Sequence, residues 1–219
     1  MPADLLRSFA QELSLSLDEK QLAQLTCYAQ CVWEKKDFLN LTSVENLDEI
    51  FTRHLADGLV AAAKIAKFLA KKPITAFTLA DVGSGAGYIG FTLAVALPQA
   101  KVTCIESLEK RCSFMNWAAL KASLPNLRVQ KARLGQEVHA QFDVVTERAM
   151  GQLPDILPIC MQVVKPGGIF LAYQGQYPQT QNVSLPKETV LLGVERYTLP
   201  YLDNKQRHIV LFSKEPKND

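Results

Sequence analysis

The spacing of apolar residues along the chain changes near residue 76. Before that point apolar side chains recur every three or four positions, as at Leu22, Leu25 and Ala29, which predicts amphipathic helices. We therefore expect residues 1–75 to form a helical extension.

The helical part of the chain carries signals for its own boundaries. Ser16 and Glu19 have the spacing of a capping box. The Asn40-Leu41-Thr42-Ser43 segment then interrupts the helical pattern with side chains that compete for backbone hydrogen bonds. Two further helices are predicted, over Leu47–Leu55 and Leu59–Lys71.

After residue 76, short apolar runs alternate with helical patterns. Strands are predicted over Thr78–Val82, Val102–Ile105, Leu127–Val129, Phe142–Thr146, Ile169–Tyr173, Val190–Thr198 and Arg207–Ser213. Helices are predicted over Ile89–Leu97, after an N-cap at Ser107, and over Leu153–Val164, with a turn-rich segment over 200–206. This alternation predicts an α/β fold with a mostly parallel, seven-stranded sheet. We expect residues 76–219 to form that core and the helical extension to pack on it as one compact unit.

The composition is that of an ordinary globular protein, with 48% hydrophobic and 21% charged residues. The apolar runs are far shorter than the ~20 residues that cross a bilayer, and the N-terminus has no basic segment followed by an apolar run. We therefore expect a soluble, cytoplasmic protein with no membrane partner. The five cysteines include no Cys-x-x-Cys pair and the three histidines are isolated, so we expect reduced cysteines in the core and no metal site.

One window of the chain is basic, although 24 Lys and Arg residues nearly balance 22 Asp and Glu residues overall. The window contains Lys110, Arg111, Lys121, Arg128, Lys131 and Arg133, with no acidic residue among them. A solvated face and a local patch that binds a polyanion both fit this pattern.

A glycine cluster, Asp81-Val-Gly83-Ser-Gly85-Ala-Gly87-Tyr-Ile-Gly90, follows the first predicted strand. Glycine lets the backbone turn tightly and approach a ligand closely, and ligands of open α/β sheets bind near such a junction. Glu106 comes 23 residues after the first glycine, at the end of the second strand, where a carboxylate can bind ribose hydroxyls. The last three glycines also satisfy the dinucleotide fingerprint, which leaves a nicotinamide dehydrogenase open.

Asp81 distinguishes a nicotinamide dinucleotide from a cationic ligand. A carboxylate before the first glycine repels a pyrophosphate but attracts a cationic ligand that carries an ammonium and a sulfonium group. An acidic-x-Gly-x-Gly-x-Gly motif, followed by an acidic residue after the second strand, resembles class I methyltransferases, which have a Rossmann-like fold and bind S-adenosylmethionine. The chain contains no P-loop motif, which disfavours an NTPase.

Further blocks along the chain extend this resemblance. They are, in order, Phe38-Leu-Asn40-Leu-Thr42, Arg53-His54-x-x-Asp57, Glu106-Ser-x-x-Lys110-Arg111, Phe142-Asp-Val-Val-x-x-Arg148-Ala149 and Arg207-His208. Together with the glycine motif they closely resemble the RsmG (GidB) family, bacterial enzymes that methylate N7 of a guanine in the 530 loop of 16S ribosomal RNA. The resemblance extends from about residue 15 to residue 213.

This resemblance implies roles for individual residues. The S-adenosylmethionine site would comprise Asp81, Gly83, Gly85, Gly87, Tyr88, Glu106 on the ribose, Leu134 and Gly135 around the adenine, and Arg148. The RNA, as 16S rRNA or as the small ribosomal subunit, would meet Asn40, Arg53, His54, Lys110, Arg111, Arg148 and Arg207. We expect the protein to act as a monomer.

Three positions depart from the family pattern. Ile89 stands where proline is usual, which should loosen the turn modestly. Gly135 stands where an acidic residue is common, so a side-chain contact is lost there. Gln174 replaces the lysine of a Lys-Gly pair, which removes one possible phosphate contact.

The implied reaction needs no general base, because guanine N7 has a free lone pair and no proton at neutral pH. We therefore predict no catalytic acid or base. Besides the dehydrogenase, two alternatives stay open: a methyltransferase for another RNA, a small molecule or a protein, and a non-catalytic module that binds the ribosome or its assembly intermediates.

Overall fold

A seven-stranded sheet forms the centre of the fold. The computed structural model describes residues 2–70, 72, 75–175, 178, 183–199 and 206–216. The strands are β1 (Phe77–Val82), β2 (Ala100–Glu106), β3 (Leu127–Lys131), β4 (Phe142–Arg148), β5 (Val164–Gln174), β6 (Thr189–Tyr197) and β7 (Arg207–Lys214). Their order is β3-β2-β1-β4-β5-β7-β6; the first five are parallel, and β7 is antiparallel to both of its neighbours. The predicted α/β fold with a mostly parallel sheet is confirmed.

Seven α-helices and one π-helical segment occur among the described residues. They are α1 (Pro2–Glu12), α2 (Glu19–Leu39), α3 (Leu47–Glu49), the π-helical segment (Ile50–Leu55), α4 (Ala56–Leu69), α5 (Tyr88–Ala96), α6 (Glu109–Lys121) and α7 (Leu153–Gln162). None of those helices combines the length and the apolar character that a membrane-spanning segment requires. The predicted helix end at Lys71 and positions 200–205 of the predicted turn lie outside the described residues.

Two predicted helix caps are wrong. The capping box of α2 is formed by Asp18 and Gln21, not by Ser16 and Glu19: Asp18 Oδ1 accepts from Gln21 N at 2.7 Å, and Gln21 Oε1 accepts from Asp18 N at 2.8 Å. The two pairs have the same spacing, and the helix starts directly after Asp18. At α6 the N-cap residue is Leu108 rather than Ser107, and no side chain caps that end.

The segment from Leu47 to Leu69 forms one continuous helical run, whereas the sequence predicted a break after Leu55. The run includes a π-helical turn, in which Ala56 N donates to the carbonyl of Phe51, five residues earlier. Gly58 lets this run pass close to α5, because a Cβ at that position would overlap with the side chain of Thr92. The apolar run also contains a buried aspartate, Asp57, whose partners come from distant parts of the chain.

Helices cover both faces of the sheet. Successive side chains of a strand point to opposite faces, and β1 shows this: Leu79 belongs to one buried cluster and Ala80 to another. The first cluster contains residues of the N-terminal helices together with α5 and α6, and the second contains residues of α7. The N-terminal helices thus bury apolar side chains against the same sheet, and this packing holds the π-helical segment beside the glycine motif.

The contact between α5 and the sheet depends on the absence of a side chain at Gly90. A Cβ there would overlap with Cys104 Sγ of β2 and would lie 3.2 Å from Asp81 Oδ2. We predict that Gly90→Ala lowers the free energy of unfolding by about 1–3 kcal/mol through overpacking, as measured by urea denaturation. Combining it with Cys104→Ala should cost less than the sum of the two single changes. Gly175→Ala is the matched control, because a Cβ there meets nothing within 4 Å; equal effects of the Gly90 and Gly175 variants would contradict the prediction.

Candidate active site

A cavity of about 240 Å³ opens at the carboxyl ends of the central parallel strands. Its lining includes Leu41, Thr42, His54, Asp81, Gly83, Ser84, Gly85, Ala86, Tyr88, Ile89, Arg111, Arg148 and Ala149. A larger cavity of about 590 Å³ lies at the opposite end of the strands, beside Thr78, Ala100 and Phe142, away from the glycine motif. Ligands of open α/β sheets bind outside the carboxyl ends of the strands, so the smaller cavity is the candidate site.

The glycine turn after β1 has an unusual backbone. Gly83, Gly85 and Gly87 have φ values of +63°, +60° and +92°, a region that favours glycine. A Cβ at Gly85 would meet no protein atom closer than 4.0 Å. The space beside the backbone of this residue is therefore open, and we call it the cradle. At Gly83 a Cβ would crowd the Met150 side chain at 3.1 Å. The turn therefore brings bare backbone to the edge of the cavity.

Glu106 joins this turn to the next one. The carboxylate is 5% exposed; Oε2 accepts from Gly85 N and Oε1 accepts from Leu108 N, both at 2.9 Å. Arg111 Nη1 lies 3.7 Å from Oε2 and the side chain lines the cavity, so the structure places Arg111 beside the predicted cofactor residues rather than on the outer surface with Lys110. Arg111 Nε is buried and has no hydrogen-bond partner among the described residues.

The carboxylate of Asp81 is held in place by hydrogen bonds within the protein. It is 2% exposed, Oδ2 accepts from Gly90 N at 3.1 Å, and Oδ1 accepts from Thr146 Oγ1 at 3.0 Å. Burial raises the pKa of Asp81 to about 6, although the hydrogen bonds from Thr146 and Gly90 act to lower it. Asp81 thus fixes the start of α5 against β1 and β4, and its charge lies at the cavity wall.

His54 and Tyr88 form a stacked pair at the side of the cavity. Their ring centroids are 4.1 Å apart at an interplanar angle of 18°, and the Arg148 guanidinium lies 5.5 Å from the Tyr88 centroid. His54 Nδ1 is buried without a hydrogen-bond partner in the described structure, and Nε2 lies 3.4 Å from Thr42 Oγ1. Burial, together with the charges of Arg148, Arg53 and Arg207, lowers the pKa of His54 to about 2. The imidazole is therefore neutral at physiological pH.

Asp57 organises the arginines behind this pair, a role that the sequence analysis missed. The carboxylate is fully buried, and its Oδ2 accepts from Arg148 Nη1 at 2.9 Å and from Arg207 Nη1 at 3.0 Å. Tyr197 Oη donates to Oδ1 at 2.7 Å, and Tyr173 Oη donates to the Asp57 carbonyl at 2.8 Å. Burial of Arg148 lowers the pKa of its guanidinium, but the charge of Asp57 outweighs this effect and raises that pKa above its usual range. The available signal was an aspartate in an otherwise apolar helical run.

The predicted site residues that do not line the cavity are Asn40, Arg53, Gly87, Glu106, Lys110, Leu134, Gly135 and Arg207. Asn40 is the C-cap of α2, with a left-handed φ of 50°, and is exposed. Arg53 is exposed, and its Nη1 lies 3.7 Å from Glu49 Oε2. Leu134 and Gly135 lie in the turn after β3, where Gly135 has a φ of +82° and faces Ile159 of α7. Their predicted contacts with RNA or adenine stay predictions.

The basic window does not form one uniform patch. Lys131 Nζ lies 2.7 Å from Glu109 Oε2, and Arg128 Nε donates to Thr103 Oγ1 at 2.8 Å. With Arg111 turned toward Glu106, three of the six cations have partners within the protein. The polyanion interpretation thus loses part of its basis, while Lys110 stays exposed.

The other two departures from the family pattern, Ile89 and Gln174, lie at cavities of the protein. Ile89 is 2% exposed and forms part of the apolar contact of α5, and it also lines the cavity. Gln174 lies at the end of β5 and, with Gly175, lines a second cavity of about 230 Å³. Arg148 and Ala149 line both cavities, so the two are neighbours.

The residues at the first cavity fit S-adenosylmethionine. The open cradle at Gly85 admits a ligand close to the backbone, and the Glu106 carboxylate ends β2 where a ribose diol can donate to it. Asp81 supplies a negative charge for the ammonium and sulfonium groups, and the orphaned Arg111 Nε is a free donor.

Comparisons with known proteins agree with this arrangement. Residues 21–210 match a family model described as GidB, rRNA small subunit methyltransferase G. A ribosomal RNA small subunit methyltransferase G from Polaromonas naphthalenivorans (strain CJ2) is 34% identical over 194 residues, which cover 88% of this chain and 87% of that protein. The protein of the same name from Aromatoleum aromaticum (strain DSM 19018 / LMG 30748 / EbN1) is 33% identical and covers 98% of this chain and 100% of its own length.

Solved structures of other methyltransferases share the fold. Coclaurine N-methyltransferase, in a complex with N-methylheliamine and SAH, gives a TM-score of 0.59 at 10% identity and covers 98% of this chain and 95% of its own. TrmN from Thermus thermophilus gives a TM-score of 0.56 at 17% identity and covers 75% of this chain and 53% of its own. The fold is therefore that of the class I methyltransferases.

The low pKa of His54 leads to a prediction about stability. The native protein keeps His54 neutral, whereas a histidine of the unfolded chain takes up a proton near pH 6.5. Because the unfolded state binds the extra proton, the contribution of His54 to the free energy of unfolding falls as the pH drops below 6.5, by about 1.4 kcal/mol at pH 5.5 relative to pH 8. Urea denaturation of the wild type and His54→Gln should show their difference shrinking by that amount. A difference that does not change with pH would refute the assignment.

Proposed function

Because the chain belongs to the rRNA small subunit methyltransferase G (GidB) family, we propose that it transfers a methyl group from S-adenosylmethionine to N7 of a guanine in the 530 loop of 16S rRNA. The observation that carries the proposal is the Gly85–Glu106 hydrogen bond at the open end of the sheet. This bond joins Gly85, which lines the cavity, to the buried carboxylate of Glu106, and Arg148 lines the same cavity.

Each residue group has a distinct task in this proposal. When bound, S-adenosylmethionine supplies a methyl group on a positively charged sulfur. Gly83 and Gly85 approach the methyl donor through their backbone, and Glu106 accepts from its ribose hydroxyls. Tyr88 and His54 form an uncharged aromatic wall beside the place where the base would enter.

The protein accelerates the reaction by positioning, because N7 has a lone pair and no proton to remove. Holding two reactants in line is worth up to roughly 7–11 kcal/mol. The side chains at the cavity fit this task, since the carboxylates of Asp81 and Glu106 already accept hydrogen bonds from the protein. Arginine often reads guanine through both N7 and O6. During the reaction Arg148 must leave N7 free and can donate only to O6.

We propose further that the protein acts as a cytoplasmic monomer on 16S rRNA or the small subunit. The substrate test is mass mapping of 16S rRNA from cells with and without this protein, followed by methylation of the same RNA by the purified enzyme. Loss of one 7-methylguanosine in the 530 loop supports the proposal; a lost modification elsewhere, or none, overturns it.

Glu106→Gln tests the cofactor side of the proposal. We predict that this variant binds S-adenosylmethionine about 1–3 kcal/mol more weakly, because one charged acceptor is lost while one oxygen still accepts a backbone N–H. Isothermal titration measures the affinity, and thermal melting verifies that the variant is folded. Glu109→Gln is the control, since Glu109 is exposed and pairs with Lys131. Equal affinities of the wild type and Glu106→Gln would remove Glu106 from the site.

The pH dependence of the reaction tests the nucleophile. Under single-turnover conditions with saturating cofactor and RNA, we expect the methylation rate to stay nearly constant between pH 6.5 and 8.5. N7 needs no base, and the pKa of His54 lies far below this interval. His54→Gln should change the RNA affinity without changing the shape of the profile.

One outcome would contradict a reaction without a base. If the wild-type rate rose tenfold per pH unit below pH 7, and this slope disappeared in His54→Gln, then His54 would take up a proton during the reaction. An exocyclic amine or a ribose hydroxyl would then be a better candidate for the methylated group than N7.

A further inference from the structure

The second cavity, next to the first, is built around the two arginines that share Asp57. It has a volume of about 230 Å³ and is bordered by Arg148, Arg207, Tyr197, Gln174 and Gly175. These residues come from the ends of β4, β5, β6 and β7, so the cavity lies at the carboxyl edge where the sheet changes from parallel to antiparallel strands.

The cavity carries an excess positive charge. Arg148 and Arg207 both donate to the same Oδ2 atom of Asp57, at 2.9 and 3.0 Å. Within the described parts of the chain no second carboxylate lies within ion-pair distance of either guanidinium. Two positive charges therefore face one negative charge, and a ligand with one negative charge restores neutrality. A phosphodiester carries one such charge.

The donors in the cavity are fixed before a ligand arrives. A guanidinium has five N–H donors in a planar fork that suits two phosphate oxygens, and in each arginine only Nη1 binds Asp57. The Tyr197 hydroxyl donates to the Asp57 carboxylate and the Tyr173 hydroxyl donates to the main-chain carbonyl of the same residue, so both the side chain and the backbone of Asp57 are held in place. The remaining N–H groups of the two partly exposed guanidiniums are available to a ligand.

On these grounds, and resting on the proposed function, we propose that the second cavity binds a phosphate group through Arg148 and Arg207, and that this phosphate belongs to the substrate RNA. Because Arg148 borders both cavities, the phosphate is one that flanks the nucleotide whose base enters the first cavity. Asp57 is the positioning residue that holds the two guanidiniums for it.

Arg207→Gln tests the site, because it removes a charge and leaves the Arg148–Asp57 pair in place. We expect the KM for RNA to rise about 10- to 100-fold, as for a lost charge-assisted hydrogen bond, with little change in kcat or in the affinity for S-adenosylmethionine. The slope of RNA affinity against salt should fall by about 0.7 for a single-stranded site. Arg196→Gln is the matched control: Arg196 is exposed and pairs in register with His208, next to the Tyr197–Arg207 pair and on the other face of the hairpin.

Neutral methylphosphonate linkages, placed one at a time in an RNA oligonucleotide, locate the phosphate. One linkage beside the target guanine should raise the KM of the wild type as much as Arg207→Gln does, and the same linkage should add nothing in that variant. Competition by inorganic phosphate at constant ionic strength distinguishes the two sources of the ligand. If phosphate competes in the wild type but no linkage has an effect, the cavity takes free phosphate and the RNA assignment is overturned.

Failure of this inference can be told apart from failure of the proposed function. If the wild type methylates the RNA and Arg207→Gln behaves like Arg196→Gln, the phosphate site is refuted while the activity stands. If the wild type methylates no guanine in the RNA but binds the oligonucleotide with the expected dependence on Arg207 and on one linkage, the site stands and the reaction is refuted.

Discussion

The arrangement of both cavities depends on one fully buried carboxylate, that of Asp57. A buried charge is costly unless it is paired and hydrogen-bonded. Here the carboxylate accepts from Arg148, Tyr197 and Arg207, and Tyr173 donates to the main-chain carbonyl of Asp57. These four residues lie at the ends of four strands. The N-terminal helical run and the carboxyl edge of the sheet are therefore joined at a point where displacement of any partner leaves a charge or a hydroxyl unpaired. This constraint fixes where the two guanidiniums lie, and the wall between the two cavities follows from it.

A second constraint acts on the backbone of the first cavity. Gly83, Gly85 and Gly87 hold left-handed conformations in one short turn, and such a turn needs an external fixed point. Glu106 provides it by accepting N–H groups from Gly85 and from Leu108, one in each of two neighbouring turns. The same carboxylate that would bind a ribose thus also determines the spacing of the turns around it.

The sequence predicted those features whose information is local. Alternating apolar runs define the strands. The glycine cluster and Glu106 each stand at the end of a predicted strand, which places both at the edge of the sheet where the cofactor is proposed to bind. The Asp57 network could not be predicted in this way, since its arginines lie 91 and 150 residues away in the chain. Arg111 illustrates the same limit: the basic window grouped it with a solvated face or a patch that binds a polyanion, whereas its Nη1 lies 3.7 Å from Glu106 Oε2. The family resemblance indicated the sequence blocks but not the contacts among them.

The distribution of charge within the site matches the needs of the proposed reaction. A cationic methyl donor and a polyanionic RNA must meet in one place, and a protonated histidine between them would repel the sulfonium and compete for the lone pair of N7. Burial and the neighbouring arginines keep His54 neutral, so the wall next to Tyr88 is aromatic and uncharged. The charges of Arg148 and Arg207 meet at the second cavity, where Asp57 binds both arginines and leaves one net positive charge. The same guanidiniums that would attract the RNA backbone thus add to the effect of burial in keeping His54 neutral, as the transfer requires.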